Sequence, residues 1–275
     1  RVGLYTSPHL VDVRERIVIN GAKIQIRTLD HIVREIKNRL AGHITYFEVL
    51  TAVAFIYFQR AHVDIAVMEV GLGGTLDATN VCRPIVSVIT NIGLEHTAYL
   101  GRTLTAIAKE KAGIVKPAGI CITGASQQRV VQTLTATCRQ NQAVLFRLGT
   151  DFKMFRRKDG LADYHGMTKI LNGLVVPLRG GYQLSNTALA LAVIEIIEKN
   201  GFVTDSEAIY SGLKKTHWEA RMEILSERPF FLLDGAHNPS GVSALQSALK
   251  KDFSWRRLIL VFAALADKDY LAMLK

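Results

Sequence analysis

An apolar run that ends in a carboxylate and opens into three glycines constrains this chain more than any other stretch. Residues 64–80 read DIAVMEVGLGGTLDATN. The segment 65–70 has the length and β-branched content of a buried parallel strand. Gly71, Gly73 and Gly74 then mark a tight turn where backbone can approach a ligand closely. Glu69 is thereby expected at the carboxyl end of a central strand, where open α/β sheets place their ligands. A carboxylate there can equally cap a local hydrogen-bond network, and position alone leaves both readings open.

The flanking pattern suits such a sheet. Strand-like runs at 85–90, 119–123 and 143–148 alternate with helical patterns at 103–112 and 126–140. This predicts an α/β fold with a doubly wound, mostly parallel sheet. Ahead of it, residues 2–5 read as a strand and 17–19 and 23–26 as hairpin arms around Asn20 and Gly21. Two helices are expected to start at the caps Thr28 and Thr45. Between 151 and 177, short alternating pieces with turns near Gly160 and Gly173 predict a small antiparallel patch. Ser185 is expected to cap a helix reaching Lys199, and Asp205 to start another.

From about residue 219 a second alternation begins, with strands at 222–225, 230–233 and 258–262 and a helix at 239–249. It predicts the start of a second, smaller, Rossmann-like α/β domain. Residues 1–218 are therefore read as one domain and 219–275 as another. The chain begins on a strand and stops soon after one, so both domains are expected to be partial.

Composition narrows the function. With 275 residues, 49% of them hydrophobic, the chain can bury one large core or two modest ones. No apolar run has the length of a membrane span; the longest, 46–58, is interrupted by Glu48 and Thr51. Cys82, Cys121 and Cys138 are scattered and form no CxxC pair, which points to a reducing cytoplasm. The net charge of +10 is spread along the chain without a basic block interleaved with aromatics. That argues against nucleic acid and suits anionic small molecules. The G-x-G-G of residues 71–74 lacks the third glycine of the dinucleotide fingerprint, which disfavours a nicotinamide oxidoreductase, and the 275-residue sequence contains no Walker loop.

Glu69, Asp77, His96 and Lys111 fall at strand ends or helix starts of the first sheet, where such positions converge. A glutamate and a neutral histidine are plausible ligands for a hard divalent ion that also holds phosphate. The charged triplet Arg14, Glu15 and Arg16 reads either as a solvated loop or as a substrate-facing one.

Taken in order, YTSPHL (5–10), RERI (14–17), TYFE (45–48), EVGLGG (69–74), LDATN (76–80), His96, KAGI (111–114) and DGAHNP (234–239) resemble the folylpolyglutamate synthase and dihydrofolate synthase family of the Mur ligase superfamily. The resemblance covers nearly the whole chain. It implies an ATP-dependent amide ligase, in which ATP phosphorylates a carboxylate of a pteroate or folate and the amine of L-glutamate attacks the acyl phosphate. It also implies that Glu69 and His96 hold Mg²⁺ and that Lys111 is carbamylated to support a second metal site. Asn186, at a helix start, would meet adenine, Arg221 the ATP phosphates and Asp234 the ribose. His237 and Asn238 would lie near the phosphates and the incoming glutamate. Thr45, Phe47 and Asp77 would face the pterin or its aminobenzoate.

The family's phosphate-binding glycine loop would precede Val2, and further C-terminal strands would follow the stretch 267–269. On this resemblance the chain is a fragment expected to bind ATP poorly and turn over little. The expected setting is a cytoplasmic monomer acting on small molecules, without nucleic acid or membrane. Two alternatives stay open: another Mur-type amino-acid ligase, and a non-catalytic folate-binding product.

Overall fold

The computed structural model describes residues 1–40, 42–266 and 268–275, so Asp267 of the stretch 267–269 lies outside the described residues. The chain divides into two compact units, Arg1–Arg83 with Glu110–Ile114, and Pro84–Lys109 with Val115–Lys275.

The first unit contains β1 (Val2–Tyr5), β2 (Ile17–Ile19), β3 (Ala22–Lys23), α1 (Ile26–Arg39), α2 (Tyr46–Arg60) and β4 (Ile65–Met68). Its sheet runs β3-β2-β1-β4, with β1 and β4 parallel and the other pairs antiparallel. Leu29, Ile32 and Ile36 recur every three to four residues, so α1 buries one stripe. α2 buries Leu50, Val53, Ala54 and Phe58, and both helices share a core with Tyr5, Ile17 and Ile24.

Thr45 caps α2 as expected, with Glu48 completing a capping box. Thr28 does not cap α1. That helix begins at Ile26 behind Gln25, which makes no side-chain cap bond. Its start follows the hairpin: Ile24 N–H donates to Ile17 O at 2.9 Å, and the chain then turns, shortening the second arm to Ala22–Lys23. β4 likewise ends at Met68, because Glu69 N–H makes the next bond to Tyr5 O at 2.9 Å before the chain leaves the sheet.

The second unit holds β5 (Ser87–Ile89), α3 (Thr97–Leu100), most of α4 (Leu104–Lys111), β6 (Ile120–Thr123), α5 (Gln128–Gln140) and β7 (Val144–Arg147). Strands β5, β6 and β7 form an all-parallel sheet in that order. The sheet of the first unit is therefore mixed, and the first sheet of the second unit is parallel. The antiparallel patch follows as β8 (Lys153–Arg156), β9 (Ala162–His165) and β10 (Ile170–Leu174). Gly173 is not in its turn. It lies within β10 at φ +71°, where the register shifts between Leu171 and Leu174, and its N–H donates to Asp163 Oδ1 at 2.8 Å. That is a bulge, which glycine accommodates without strain.

Next come α6 (Gly181–Lys199), α7 (Ser206–Lys214), β11 (Glu223–Glu227), β12 (Phe230–Leu233), α8 (Pro239–Asp252) and α9 (Tyr270–Met273). α6 starts at Gly181, four residues ahead of Ser185, so Ser185 is interior and Asn186 belongs to the second turn rather than the helix start. The fully buried Tyr164 and Leu174 of the patch pack with Leu191 and Ala192 of α6 in one core. Glu195 of α6, 2% exposed, joins that core through a hydrogen-bond cluster with the β9–β10 turn. β11 and β12 pair antiparallel. The expected strand 258–262 does not form: Leu258, Ile259, Leu260 and Val261 are 56–86% exposed, and no ladder pairs with them among the described residues. A strand is made by its neighbour's backbone, so apolar β-formers alone do not produce one.

No helix among the described residues is long and apolar enough to cross a membrane. Cys82, Cys121 and Cys138 are free thiols, and interaction with the Cys138 thiol, together with burial, pushes the Cys121 thiol up.

Candidate active site

In the first unit, the glycine turn is organised by Asp77. Its Oδ2 accepts from Gly71 N–H at 3.0 Å and Leu72 N–H at 2.9 Å, while Oδ1 accepts from Thr79 N–H at 2.9 Å and the Thr79 hydroxyl at 2.5 Å. One carboxylate therefore holds both ends of the loop. Glu69, just before the turn, accepts from Ser7 N–H at 2.7 Å through Oε2, which ties the loop after β1 to the loop after β4. Two parallel strands thus deliver Ser7 and Glu69 to the same sheet edge.

The turn is also fastened to residues 110–114, which carry Lys111 as the last residue of α4. Thr75 donates its hydroxyl to Glu110 O at 3.1 Å, and Asn80 Nδ2 donates to Thr75 O at 3.0 Å and Gly113 O at 3.1 Å. The approach is close enough to require glycine on both sides. A Cβ on Gly74 would lie 2.7 Å from Glu110 O and 2.8 Å from Lys111 O, and one on Gly113 would lie 2.2 Å from the Thr75 hydroxyl oxygen. Glu110 and Gly113 thus pack against the candidate site, and neither was expected there individually. The signal for Gly113 was its place in the KAGI stretch.

Thr45 and Phe47 stand at the start of α2. The Thr45 hydroxyl accepts from Glu48 N–H at 3.2 Å and donates to Glu48 Oε2 at 2.7 Å, so it works as a helix cap. The half-buried Phe47 ring lies over Gly71, where a Cβ would sit 2.4 Å from Cζ, and 5.9 Å from the Tyr5 ring. Burial pushes the Tyr5 phenol up. Beside them the loop after β1 is a dense ionic network. The Arg14 guanidinium beside Asp12 holds its carboxyl down at about 2, and N–H donation from Leu10, with further donation from Asp12 and Val11, holds Glu15 at about 2.

In the second unit some of the predicted residues lie at the start of α8. Asn238 is its N-cap, accepting from Gly241 N–H at 2.7 Å, and its Nδ2 donates to Glu95 Oε2 at 3.4 Å. A Cβ on Gly93 would meet Ser240 Oγ at 3.1 Å. Both contacts bring the segment bearing His96 to the start of α8. His96 itself caps α3 in the left-handed region, φ +48°, its carbonyl accepting from Tyr99 and Leu100 N–H at 2.9 Å each. Such a conformation is costly outside glycine and concentrates at functional sites.

Asp234, after β12, accepts from Met222 N–H at 2.9 Å and Ala236 N–H at 2.8 Å. It thereby fixes both the Arg221 turn and the loop carrying His237, whose Nδ1 lies 2.9 Å from Gly235 O. Arg221 sits between two left-handed residues, Ala220 at φ +52° and Met222 at φ +49°. Glu223 Oε2 accepts from Ala220 N–H at 2.8 Å, and Ala220 O accepts from Gly235 N–H at 2.8 Å. A Cβ on Gly235 would come 3.0 Å from an Arg221 Nη. Tyr182 is raised by burial and by the nearby Asp234 charge, with Arg221 opposing, which places the first turn of α6 beside that pair. Asn186 Nδ2, one turn on, donates to Gln183 Oε1 at 3.1 Å. A cleft of about 260 Å³ is lined by Arg179, Trp218, Arg221 and Ile224.

Glu69, Lys111, Thr45, Phe47 and Asp77 thus share the first unit, and His96, Asn186, Arg221, Asp234, His237 and Asn238 the second. Glu95, Tyr182 and Glu223 join the latter without having been expected, because none belongs to a recurring local pattern.

The Mur ligase middle domain family matches residues 16–194, and the Mur ligase glutamate ligase domain family matches residues 220–274. The chain is 37% identical over 285 residues to folylpolyglutamate synthase of Lacticaseibacillus casei, covering 99% of this chain and 66% of that protein. It is 36% identical over 287 residues to dihydrofolate synthase/folylpolyglutamate synthase of Bacillus subtilis, covering 100% of this chain and 67% of that one. The chain therefore spans about two-thirds of the length of these relatives. Among solved structures, a folylpolyglutamate synthase complex with AMPPCP and folate superimposes with a TM-score of 0.91 at 36% identity, covering 99% of this chain and 70% of the other. By sequence and by structure, the chain belongs to the folylpolyglutamate synthase and dihydrofolate synthase family of Mur ligases.

Proposed function

We propose that the protein is an ATP-dependent ligase that adds L-glutamate to dihydropteroate, to reduced folates, or to both, through an acyl phosphate. The observation that carries this reading is the chain-long likeness to named synthases, one of them solved with an ATP analogue and folate together. The positions of the two family matches also support dividing the chain near residue 218, into a nucleotide- and folate-binding part and a glutamate-ligase part.

In this reading Arg221 contacts the ATP phosphates. Its turn is held by Asp234, Gly235 and Glu223, so the guanidinium fork is presented with little ordering left to do. Asp234 binds the ribose, and Asn186 meets the adenine from the second turn of α6. His237 and Asn238 hold phosphate and the incoming glutamate at the start of α8, a 14-residue helix whose N-terminal dipole favours anions. Phe47 over Gly71 supplies an aromatic wall for the pterin or aminobenzoate, with Thr45 beside it. Asp77 shapes the same wall through the glycine turn.

Glu69 and His96 would hold Mg²⁺, with carbamylated Lys111 supporting a second metal. Among the described residues no group of three or more His, Cys, Asp or Glu side chains forms a closed metal cage. That donor set suits Mg²⁺, which is bound through one or two carboxylates plus substrate phosphates and water. When bound, the ion neutralises phosphate charge during phosphoryl transfer. A cytoplasmic monomer free of nucleic acid completes the reading.

The test is glutamate incorporation by the full-length protein into dihydropteroate and into tetrahydrofolate, with ADP release measured in parallel. Stoichiometric ADP and glutamylated product are expected. Glu69→Gln should lower Mg²⁺-dependent turnover by at least about tenfold, since a removed charge-stabilising ligand typically costs that much or more. No product with either acceptor would sink the ligase reading, and an unchanged Glu69→Gln variant would sink the metal assignment.

A further inference from the structure

Three cations lie in or beside the charged loop after β1, Arg14 and Arg16 in the loop and Lys23 in β3, and two of them are already matched by carboxylates. Arg14 chelates Asp12 through Nε and Nη2, the latter at 2.5 Å, and Lys23 Nζ pairs with Glu15 at 3.3 Å. Arg16 differs. Its Nε donates to His9 Nδ1 at 2.9 Å, an acceptor without formal charge, and its guanidinium carbon lies 5.5 Å from the centre of the Tyr46 ring. Among the described residues the Nη groups of Arg16 take no protein partner.

The Nε bond and the cation–π contact with Tyr46 hold the guanidinium in place, while its Nη groups stay open. Those groups can receive a carboxylate in a bidentate pair. The location is as informative as the chemistry. Tyr46 stands between Thr45 and Phe47 at the start of α2, and it is 60% exposed, so the stacked pair faces solvent rather than the core. The same loop carries Ser7, which donates to Glu69. Thr6 N–H closes the loop's base on Arg16 O at 3.0 Å, which anchors the backbone from which the Arg16 side chain extends.

An acceptor with one glutamate bears two carboxylates, of which only one is phosphorylated in a given turnover; a pteroate bears one. The second carboxylate needs a cation, and the loop offers one that is planar, oriented and unmatched. We infer that Arg16, oriented by His9 and Tyr46, binds the non-reacting carboxylate of a glutamylated acceptor and sets the preference for such acceptors over tail-less pteroates. This rests on the ligase reading, and it names the substrate feature that the first unit selects.

The experiment is calorimetric titration of the protein with pteroate and with pteroylglutamate, for wild type, Arg16→Gln, Arg16→Lys and Tyr46→Leu, each checked for folding by circular dichroism. The quantity read is the ratio of the two Kd values. Wild type should favour pteroylglutamate. Arg16→Gln should shrink the ratio by about tenfold, the usual weight of a hydrogen-bonded charge pair. Arg16→Lys, which keeps charge without the fork, and Tyr46→Leu, which removes the stack, should fall between. A ratio unchanged in all three variants overturns the inference while leaving the ligase reading intact. A wild-type protein that binds neither compound overturns both, so the two failures are distinguished by where they show.

Discussion

Four donors converge on the single carboxylate of Glu195, and they explain how an α-helix comes to govern a hairpin. Oε1 accepts from the Tyr164 hydroxyl at 2.6 Å and Met167 N–H at 3.1 Å, and Oε2 accepts from Thr168 N–H at 2.5 Å and its hydroxyl at 2.6 Å. Burial and the adjacent carboxylate push the Tyr164 phenol up, so it remains a donor. Gln at this position keeps one oxygen and turns an NH₂ toward two donors. Glu195→Gln should therefore cost about 2–4 kcal/mol in urea denaturation, the range for stranding buried donors. Glu198→Gln, one turn on, breaks a pair with Lys169 at 2.6 Å that is only partly buried, and should cost about 1 kcal/mol or less. Equal losses in the two variants would refute this account. None of this was legible in the sequence, where Glu195 is one more polar residue in a helix. The left-handed Ala220 and Met222 were hidden for a related reason: non-glycine residues give no local sign that tertiary contacts have forced a positive φ.

Among the elements, those with a local cause were legible. Thr45 and Asp205 cap the helices expected of them because each side-chain oxygen meets a backbone N–H three residues on. Thr28 and Ser185 failed because the hairpin and Gly180 set those helix starts from upstream, and propensity yields to such context. The run 258–262 failed because pairing is not encoded in one strand. The loop after β1 yields a pH prediction. Asp12 and Glu15 titrate near 2 when folded and near ~4 in an unfolded chain. Depressed values mean that their contribution is full above pH ~4 and is lost as pH falls toward 2. Amide resonances of Leu10, Val11 and Arg14, which donate to these carboxylates, should shift through that window and stay still between pH 5 and 7. Movement centred above pH 5 would contradict it.

At the scale of the molecule, the alternation of strand and helix announced the fold class, and the ordered motifs announced the family. The division into units was not legible, since it depends on Glu110–Ile114 belonging with residues far upstream. Gly113→Ala tests that attachment. The added methyl meets Thr75, and overpacking of this kind typically costs about 1–3 kcal/mol. Native-state hydrogen exchange should show faster exchange at Thr75 and Asn80, with the β8–β10 patch unaffected; uniform protection as in wild type would count against it. The same attachment has a consequence for how the protein is made. Residues 1–83 are synthesised before the peptide that fastens their glycine turn, and at ~5–20 residues per second the wait lasts on the order of seconds. Through that interval a nascent chain can assemble β1, β2 and both early helices, while the turn that would present Glu69 stays unfastened. Fastening of that turn is thus postponed until translation has passed Ile114, however early the surrounding sheet has formed.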